Sequence, residues 1–368
     1  MTRRPTVLFV IPHLGGGGAE RITFLLASHL APHKFDLHLA ILAHAQHEMA
    51  KDEFPSQVKV HIVSNKRVRE SVRYLLRLVW QLRPRIILSN MAHLNFVVLL
   101  LRPVMPLGTR IIVRQNGTIS RILSTCARPA WTRFLYRRLY PRAHRIVCQS
   151  PEMADDLSSL IRVTPHQVVI LHNPVDDASM HCLDRHTPSK WHGPGPHLLA
   201  ISRLAAEKGI DMLLQAIAEL RAQYPSIDAT ILGQGPEEQS LKQLSRTLGL
   251  DNTVRFAGYE PRPSAYFPHA SLLVVASRHE GMPNAMLEAA AAGLPLVSTP
   301  ASPAITRLLS HRPGGWLATD CSAPALAKAI SKAVATLQPG QRFTHEWIEP
   351  FRLRNAIKQY ESLLDSLI

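Results

Sequence analysis

The chain has 368 residues, 46% of them hydrophobic, and a formal net charge of +15. This length exceeds what one hydrophobic core usually serves, so it predicts two domains. The balanced composition excludes a disordered or fibrous protein, and the strong positive charge predicts an anionic partner.

Short apolar runs alternate with helical patterns along the whole chain, which predicts parallel βαβ units. In the first half, strands are predicted at Val7–Ile11, Leu37–Leu42, Val58–Val63, Ile86–Ser89, Arg110–Arg114, Arg145–Gln149 and Val168–Leu171, with helices at Ala19–Leu30, Arg67–Leu82 and Arg128–Tyr140. In the second half, strands are predicted at His197–Ser202, Asp228–Leu232, Val254–Gly258, Leu272–Ala276 and Leu294–Ser298, followed by a terminal helix at Phe351–Leu367.

This order predicts an α/β protein with two doubly wound, Rossmann-like domains that face one cleft. The first domain is expected at residues 1–178 and the second at 197–348. Residues 179–196, rich in Pro, Gly, His and charge, are expected to be a linker. The C-terminal helix at 349–368 is expected to be a separate element that can pack back on the first domain.

No segment predicts secretion or membrane insertion. The apolar run Val7–Ile11 is too short for a signal peptide, and Phe96–Leu101 stops at Arg102-Pro103, short of the roughly 18 apolar residues of a membrane span. The cysteines (Cys126, Cys148, Cys182 and Cys321) form no Cys-x-x-Cys pair, so free thiols are expected rather than a zinc site or disulfides.

The positive charge is concentrated in the first half. Residues 1–178 contain 24 Lys+Arg and 11 Asp+Glu, and the stretch from Lys66 to Arg145 contains 17 basic residues and one acid, Glu70. The candidate partners are an anionic membrane surface, a lipid-linked phosphate or a nucleic acid, and the alternative is an ordinary solvated basic surface.

The helix at 128–140 carries apolar side chains among arginines. This pattern fits either core packing or a basic amphipathic helix on a membrane interface, and we favour the interface. The apolar residues are Trp131, Phe134, Leu135 and Leu139, and the arginines are Arg133, Arg137, Arg138 and Arg142.

A glycine-rich loop, Gly15, Gly16, Gly17 and Gly18, follows the first predicted strand. Glycines let backbone N–H groups approach a phosphate, and the next helix adds its N-terminal dipole. A dinucleotide fingerprint would require glycine at the position of Glu20, and no acid ends the second strand to bind an NAD ribose. The loop therefore predicts either a phosphate contact or a tight turn, and it disfavours an oxidoreductase.

Two further motifs lie in the second half. Arg203 and Lys208, in the segment Ile201–Gly209, can neutralise a diphosphate without a metal, or can simply begin a helix with an exposed ion pair. In the segment Ser277–Thr299, Glu280 follows a strand and Glu288 lies about one turn into the next helix. Carboxylates at this spacing can accept hydrogen bonds from sugar hydroxyls and a ribose diol.

Together these motifs resemble the retaining GT-B glycosyltransferases of family 4, which show E-G-x-P-x-x-x-x-E-A after an upstream R-L-x-x-x-K-G. The resemblance rests on Glu280-Gly281, Pro283 and Glu288-Ala289, on Ser202-Arg203-Leu204 and Lys208-Gly209, and on Gly16–Glu20, the Tyr140–Ser150 region, His172–Asp176 and Gly233-x-Gly235-Pro236.

The resemblance implies a role for each matching residue. Glu288 would bind the ribose, Glu280 the donor sugar, and Arg203 and Lys208 the diphosphate. The donor site would also include Gly15, Gly16, Gly17, Gly18, Gly235, Gly258, Gly281, Met282, Pro283 and Asn284.

The segments Leu88–Asn95 and Arg114–Asn116 resemble acceptor-side loops of the branch that transfers N-acetylhexosamines onto lipid-linked oligosaccharides. The acceptor-side candidates are accordingly His93, Asn95, Arg114 and Asn116. His93 joins Glu280, Arg203 and Lys208 as a catalytic candidate, although a single histidine among 19 is commonly a surface or core residue.

The chain is thus expected to transfer an N-acetylhexosamine or hexose from a UDP-sugar to a lipid-linked or polysaccharide-precursor acceptor, with retention and without a metal or other cofactor. The absence of any Asp-x-Asp triplet agrees with metal-independent chemistry. The expected location is the cytoplasmic face of the inner membrane of a bacterial host, as a peripheral protein without nucleic-acid partners.

Several alternatives stay open. They are a GDP-mannose-dependent mannosyltransferase, a nucleotide-sugar epimerase of the same architecture, and a non-catalytic binding protein. A pyridoxal-phosphate phosphorylase would need a well-placed lysine in the second half, and a nucleic-acid binder would leave the second-half motifs unused. The segment Pro300–Ile305 departs from the Gly-Gly-x-x-Glu turn usual in the family, which bears on donor-loop geometry and sugar specificity.

Overall fold

The computed structural model describes residues 4–13, 18–42, 54–62, 68–177, 191 and 194–368. Gly15, Gly16, Gly17, Cys182 and most of the expected linker lie outside these residues. The chain divides into two compact units, one of Met1–Pro174 with Leu353–Ile368 and one of Val175–Arg352.

Unit 1 contains a seven-stranded sheet, within the described residues, in the order β3-β2-β1-β4-β5-β6-β7. The strands are β1 (Thr6–Ile11), β2 (Asp36–Ile41), β3 (Val58–Ile62), β4 (Ile86–Ser89), β5 (Arg110–Arg114), β6 (Arg145–Cys148) and β7 (Val168–Ile170). All neighbours pair in parallel, and the strand order reverses between β1 and β4. This topology confirms the predicted doubly wound sheet.

Helices cover both faces of this sheet. They are α1 (Gly18–His29), α2 (Val68–Leu82), α3 (Ala92–Leu101), α4 (Ile119–Thr125), α5 (Pro129–Leu139), α6 (Pro151–Leu160) and the C-terminal α12 (Leu353–Asp365). Val7 and Phe9 of β1 point to a core shared with α1 and α12, whereas Leu8 and Val10 point to a core shared with α2, α3, α5 and α6. Burial on both faces explains why the strands are almost wholly apolar.

Unit 2 repeats this plan with a six-stranded parallel sheet, in the described residues, in the order β10-β9-β8-β11-β12-β13. The strands are β8 (His197–Ile201), β9 (Asp228–Leu232), β10 (Val254–Gly258), β11 (Leu272–Val275), β12 (Leu296–Ser298) and β13 (Gly315–Leu317). The helices are α7 (Ile210–Leu220), α8 (Glu238–Thr247), α9 (Asn284–Ala291), α10 (Pro303–Leu309) and α11 (Ala323–Thr336). The strand order reverses between β8 and β11.

Three elements differ from the sequence predictions. α3 was not predicted because its sequence, AHLNFVVLLL, is apolar on nearly every side and shows no amphipathic period. The expected acceptor-side loop Leu88–Asn95 is therefore the end of β4, a two-residue turn and the start of α3. β13 has three residues, too few for a recognisable pattern, and α4 has seven.

The helix predicted at 128–140 packs one side into the core and leaves two aromatic side chains exposed on the other. Tyr136 and Leu139 of α5 are buried in the core, whereas Trp131 and Phe134 are 58% and 52% exposed. Leu135 packs against the core, so it does not belong to the exposed apolar group. Within the described residues, no helix is both long and apolar enough to cross a bilayer.

His144, which precedes β6, makes unit 1 sensitive to acid. Its Nδ1 accepts a 2.9 Å hydrogen bond from the Ile111 N–H, so this atom is unprotonated in the fold. Burial, with the charges of Arg102, Arg110 and Arg145, lowers the pKa of His144 to about 4. In the unfolded chain the ring titrates near 6.5.

We therefore predict that unit 1 loses stability on acidification. Between pH 6.5 and 4 the unfolded chain binds a proton at His144 and the folded chain does not. The free energy of unfolding therefore decreases as the pH is lowered through this range. The expected loss from pH 7 to pH 5 is about 1 kcal/mol after solvent screening. Urea unfolding of His144→Asn, whose amide oxygen can still accept from Ile111, should show a correspondingly weaker pH dependence. His33→Asn, at an exposed position, is the control and should behave like the unmodified chain.

Candidate active site

The carboxyl ends of β8 and β11 lie side by side where the strand order of unit 2 reverses. This is the position at which open α/β sheets bind ligands. The loop after β8 carries Arg203 and Lys208, and the loop after β11 carries Glu280. Two motifs that are distant in the sequence are thus adjacent at this edge.

Lys208 and Glu280 form an ion pair there. Lys208 Nζ lies 2.6 Å from Glu280 Oε1, and the same oxygen accepts a 2.7 Å hydrogen bond from Ser277 Oγ. The side chains are 22% and 10% exposed, so both charges are largely removed from water. A partly buried pair of this kind is held in one geometry more firmly than a surface pair.

Gly209 lets the Lys208 loop reach β11. It adopts a left-handed conformation with φ 62°, and a Cβ at this position would overlap the carbonyl of Ala276 at the end of β11. Only glycine tolerates both conditions at little cost. The K-G dipeptide of the motif therefore brings the loops after β8 and β11 together.

Arg278 fastens the same two loops. Its guanidinium donates two hydrogen bonds to the Asp211 carboxylate, at 2.7 and 2.6 Å, and a third to the Ala206 carbonyl. Its own N–H donates to the Glu207 carbonyl at 2.8 Å. These bonds hold the short 3₁₀ turn Ala206–Lys208, and the hydrogen bond from Arg278 lowers the pKa of Asp211.

Arg203 does not join the Lys208–Glu280 pair. It is 64% exposed and contacts Glu207 at 2.6 Å. Of the two cations predicted for a diphosphate, the structure thus places Lys208 against Glu280 and leaves Arg203 on the surface, with an exposed partner that a ligand can displace.

Glu288 lies about one and a half turns from the start of α9 and is buried. Pro283 ends the preceding loop in an extended conformation at the N-cap position of α9, so Asn284 is the first helical residue. Met282 is buried in the hydrophobic core. The motif from Gly281 to Glu288 is therefore a turn, packed into the core through Met282, that leads into the helix.

The departing segment Pro300–Ile305 packs on this turn. Glu280 N–H donates to the Ala301 carbonyl at 3.1 Å, and Ser302 Oγ lies 3.3 Å from the Gly281 carbonyl. Ser302 also caps α10 by accepting from the Ile305 N–H. The segment thus holds the backbone of Glu280 and Gly281 without the glycines usual in the family.

The two remaining donor-side glycines of unit 2 lie one and two strands away, and Gly18 begins α1 in unit 1. Gly235, after β9, packs against the Leu204 carbonyl so closely that a Cβ would overlap it. Gly258 ends β10 with φ 74°, and its carbonyl accepts from the Gly233 N–H at 2.7 Å. The atoms nearest to a Cβ at these positions belong to Leu204 and Gln234, so within unit 2 the two glycines shape neighbouring loops.

In unit 1, His93 lies beside the corresponding reversal between β1 and β4. It is exposed near the start of α3. Desolvation lowers the pKa of His93, the nearby His13 lowers it further and Glu20 raises it. His93 is consequently uncharged at pH 7 and can accept a proton. His13 Nδ1 lies 3.5 Å from Glu20 Oε1.

The other acceptor-side candidates divide into two buried residues and one exposed residue. Arg114 and Asn95 are 1% and 0% exposed, and Asn95 donates to the Arg114 carbonyl at 3.0 Å. Asn116 is exposed and accepts from Arg114 at 2.7 Å. In this structure Arg114 and Asn95 therefore support the sheet edge, while Asn116 and His93 are accessible.

Sequence reasoning missed several residues that position the predicted ones. In unit 2 these are Ser277, Arg278 and Asp211. In unit 1, Asn90, Gln149 and Asn173 follow the ends of strands and bond with Arg114 or its neighbours. The sequence pattern could have identified those that closely follow strands, because polar residues after buried parallel strands meet at one edge of the sheet.

Within the described residues, no group of three or more His, Cys, Asp or Glu side chains is arranged to hold a metal ion. The site in unit 2 instead offers one cation paired with one carboxylate, and a second carboxylate on α9. These groups can bind an anion and accept hydrogen bonds from hydroxyl groups.

Two family models match the chain. Residues 195–336 match the model described as Glycosyl transferases group 1, and residues 16–179 match the model described as Glycosyltransferase Family 4. The family 4 segment contains β2–β7 and the group 1 segment contains β8–β13, so each unit carries a match to one of the two glycosyltransferase models.

Curated relatives have similar descriptions. The amylovoran biosynthesis glycosyltransferase AmsK of Erwinia amylovora is 33% identical over 182 residues, covering 46% of this chain and 44% of that protein. The N-acetylgalactosamine-N,N'-diacetylbacillosaminyl-diphospho-undecaprenol 4-alpha-N-acetylgalactosaminyltransferase of Campylobacter jejuni is 24% identical over 300 residues, 78% of each chain. The chain spans between 38% and 54% of the length of the first four curated relatives it matches.

Solved structures confirm the predicted two-domain GT-B fold. HepE of Anabaena, solved with UDP and glucose, has a TM-score of 0.80 and 17% identity, with 99% of this chain and 100% of that chain covered. Sucrose-phosphate synthase from Thermosynechococcus elongatus has a TM-score of 0.80 and 15% identity, with 99% of each chain covered. At such identities the likeness concerns the fold alone.

The Arg278–Asp211 clamp predicts a local effect. Arg278→Gln removes two hydrogen bonds to Asp211 and one to the Ala206 carbonyl of the turn, at an expected cost of about 1.4 kcal/mol for a pair whose side chains are each 36% exposed. Amide hydrogen exchange in a peptide covering 203–211 should therefore accelerate about tenfold. Lys242→Gln, which breaks the exposed Lys242–Glu238 pair on α8, is the control. Equal exchange rates in the two variants would show that the clamp does not hold the turn.

Proposed function

We propose that this chain, which carries both glycosyltransferase domains, is a retaining, metal-independent transferase that uses a UDP-sugar. The observation that supports it most is the Lys208–Glu280 pair at the strand-order reversal of unit 2, with the buried carboxylate of Glu288 on the following helix. One cation and two carboxylates match the three parts of a nucleotide-sugar: diphosphate, sugar and ribose.

In this proposal Lys208, assisted by Arg203, stabilises the negative charge that develops on the departing diphosphate. Glu280 accepts hydrogen bonds from the transferred sugar, and Glu288 from the ribose diol. The bond between the anomeric carbon and the diphosphate oxygen breaks, and the acceptor oxygen bonds to that carbon from the same face. The proton of the acceptor hydroxyl passes to the departing phosphate oxygen, so atoms and charge balance.

The sugar is proposed to be a hexose or N-acetylhexosamine and the acceptor a lipid-linked glycan. The support is the motif resemblance and the relative from Campylobacter jejuni, whose name describes transfer of N-acetylgalactosamine to a diphospho-undecaprenol acceptor. Uncharged His93, exposed at the reversal in unit 1, is proposed to bind a hydroxyl of one substrate.

Glu288 provides the sharpest test of the donor site. Glu288→Gln replaces a charged acceptor of two hydroxyl hydrogen bonds by a neutral one, and we expect UDP affinity to fall at least tenfold by calorimetry. Glu219→Gln, on the exposed side of α7, removes the same charge and should leave UDP affinity unchanged. Equal affinity in the two variants would refute the ribose assignment.

The same preparations test the reaction. Among a panel of UDP- and GDP-sugars, one UDP-sugar should be hydrolysed slowly or transferred in excess EDTA, and the product should keep the anomeric configuration of the donor. Activity that requires Mg²⁺ or Mn²⁺, or an inverted product, would contradict the proposed mechanism.

We also propose that unit 1 attaches to an anionic membrane surface through α5. Trp131 and Phe134 are exposed and stack with ring centroids 5.4 Å apart, and Arg133, Arg137 and Arg138 are exposed beside them. An aromatic pair can enter the headgroup layer while the arginines bind lipid phosphates. The attachment would be peripheral and, in a bacterial host, on the cytoplasmic face.

Liposome binding tests this attachment. Each arginine near an anionic surface contributes about 1 kcal/mol, so Arg133→Gln with Arg138→Gln should weaken partitioning onto phosphatidylglycerol vesicles about thirtyfold. Arg246→Gln with Arg262→Gln makes the same charge change on exposed residues of unit 2 and serves as the control. Binding that is equal for neutral and anionic vesicles, or equal in the two double variants, would assign the charge to another partner.

A further inference from the structure

Arg114 is a buried cation without a carboxylate partner in the described part of the chain. It ends β5, is 1% exposed, and uses its guanidinium to bond four neutral groups. These are the hydroxyl of Tyr360 at 3.2 Å and the side-chain oxygens of Asn90 at 3.1 Å, Asn116 at 2.7 Å and Asn173. A buried cation that meets only neutral dipoles is compensated less for its lost hydration than one that meets a carboxylate, so an added anion nearby is favourable.

The hydrogen bonds fix the orientation of the Asn116 amide. Arginine can only donate, so the Asn116 atom that faces it must be the oxygen. Gln149 Nε2 lies 3.1 Å from the same oxygen. With its oxygen held from two sides, Asn116 directs its NH₂ group away from Arg114.

Asn116 is the exposed member of this set. Arg114, Asn90, Asn173 and Gln149 are all buried, and Tyr360 is fully buried on α12. Among these groups the Asn116 amide is the one that reaches solvent, and its two N–H donors have no partner within the described residues. A fixed donor with a buried cation behind it favours an anionic oxygen over a neutral hydroxyl.

We infer that the Asn116 amide is a phosphate-binding donor at the carboxyl edge of unit 1, and that Arg114 is its positioning residue. The identity of the ligand as a phosphate rests on the proposed function, whose substrates carry their negative charge on diphosphates. The phosphate belongs either to the UDP moiety of the donor or to the diphosphate of a lipid-linked acceptor.

The key variant is Asn116→Asp. The new carboxylate can still accept from Arg114 and Gln149, so the fold should be kept and its thermal midpoint should be equal or higher. The two N–H donors are lost, and a negative charge replaces them. Asn252→Asp, in an exposed turn before β10, makes the same chemical change and is the matched control.

Calorimetry with inorganic pyrophosphate, UDP and farnesyl diphosphate separates the two sources. We expect Asn116→Asp to weaken pyrophosphate binding at least tenfold and the control not to weaken it. A parallel loss for UDP alone assigns the donor phosphate, and a parallel loss for farnesyl diphosphate alone assigns the acceptor phosphate. Unchanged affinity for all three probes would overturn the inference.

A second variant separates lost donors from added charge. Asn116→Ala removes the amide without a new charge and should weaken pyrophosphate binding about fivefold, whereas binding equal to that of the unmodified chain would overturn the donor role. Failure of this inference is distinguishable from failure of the proposed function. The Glu288→Gln test reads the ribose site in unit 2 and does not depend on Asn116.

Discussion

The contact between Lys208 and Glu280 joins two loops that are 72 residues apart in the sequence. It exists because β8 and β11 are neighbours at the reversal of strand order and because Gly209 lets one loop approach the end of the other strand. Each charge would be costly at this burial without the other. The strand order of unit 2 is therefore what brings these two charged groups together.

The same pairing prepares the proposed reaction. Lys208 is neutralised by Glu280 while no substrate is bound, so neither group has to find its position when a diphosphate and a sugar arrive. Ser277, Arg278 and the segment around Ala301 and Ser302 fix the two loops through hydrogen bonds. Such preorganisation lowers the cost of ordering the site on binding.

The two units share one topology and use it differently. At the carboxyl edge of unit 2, cations are matched by carboxylates, as in the pairs Lys208–Glu280 and Arg278–Asp211. At the corresponding edge of unit 1, Arg114 is surrounded by amides and a phenol. Where a cation already has a carboxylate partner, a ligand can replace that partner. Where a buried cation has only neutral partners, an added anion stabilises it. Arg114 is thus a buried member of the excess of basic residues in the first half.

The sequence predicted the elements that are bounded sharply by polar residues or proline. Four strands, among them Ile86–Ser89 and Asp228–Leu232, begin and end at the predicted residues because each apolar run is interrupted at both ends. α3 and β13 were missed because one lacks a polar face and the other is too short. The motif pointed to Lys208 and Glu280, and the structure places them in the loops after β8 and β11.

The pairing of Arg114 with Tyr360 was beyond such reasoning. The two residues are 246 positions apart, and nothing local to Tyr360 distinguishes it from any other core tyrosine of an amphipathic helix. Only the return of α12 to unit 1 brings its hydroxyl to the guanidinium. Long-range polar contacts of this kind depend on the packing of whole elements, which local periodicity does not encode.

The segment Pro300–Ile305 departs from the family pattern but still holds the backbone of the Glu280 loop in place. Ala301 and Ser302 bond the backbone of Glu280 and Gly281, and Ser302 also caps α10, so the turn is tied at three points. Proline at 300 and 303 further limits the backbone conformations of the segment. The path of the Glu280 loop is thereby held without glycines. Differences in sugar preference from the family pattern should accordingly arise from the side chains around Glu280 rather than from a displaced backbone.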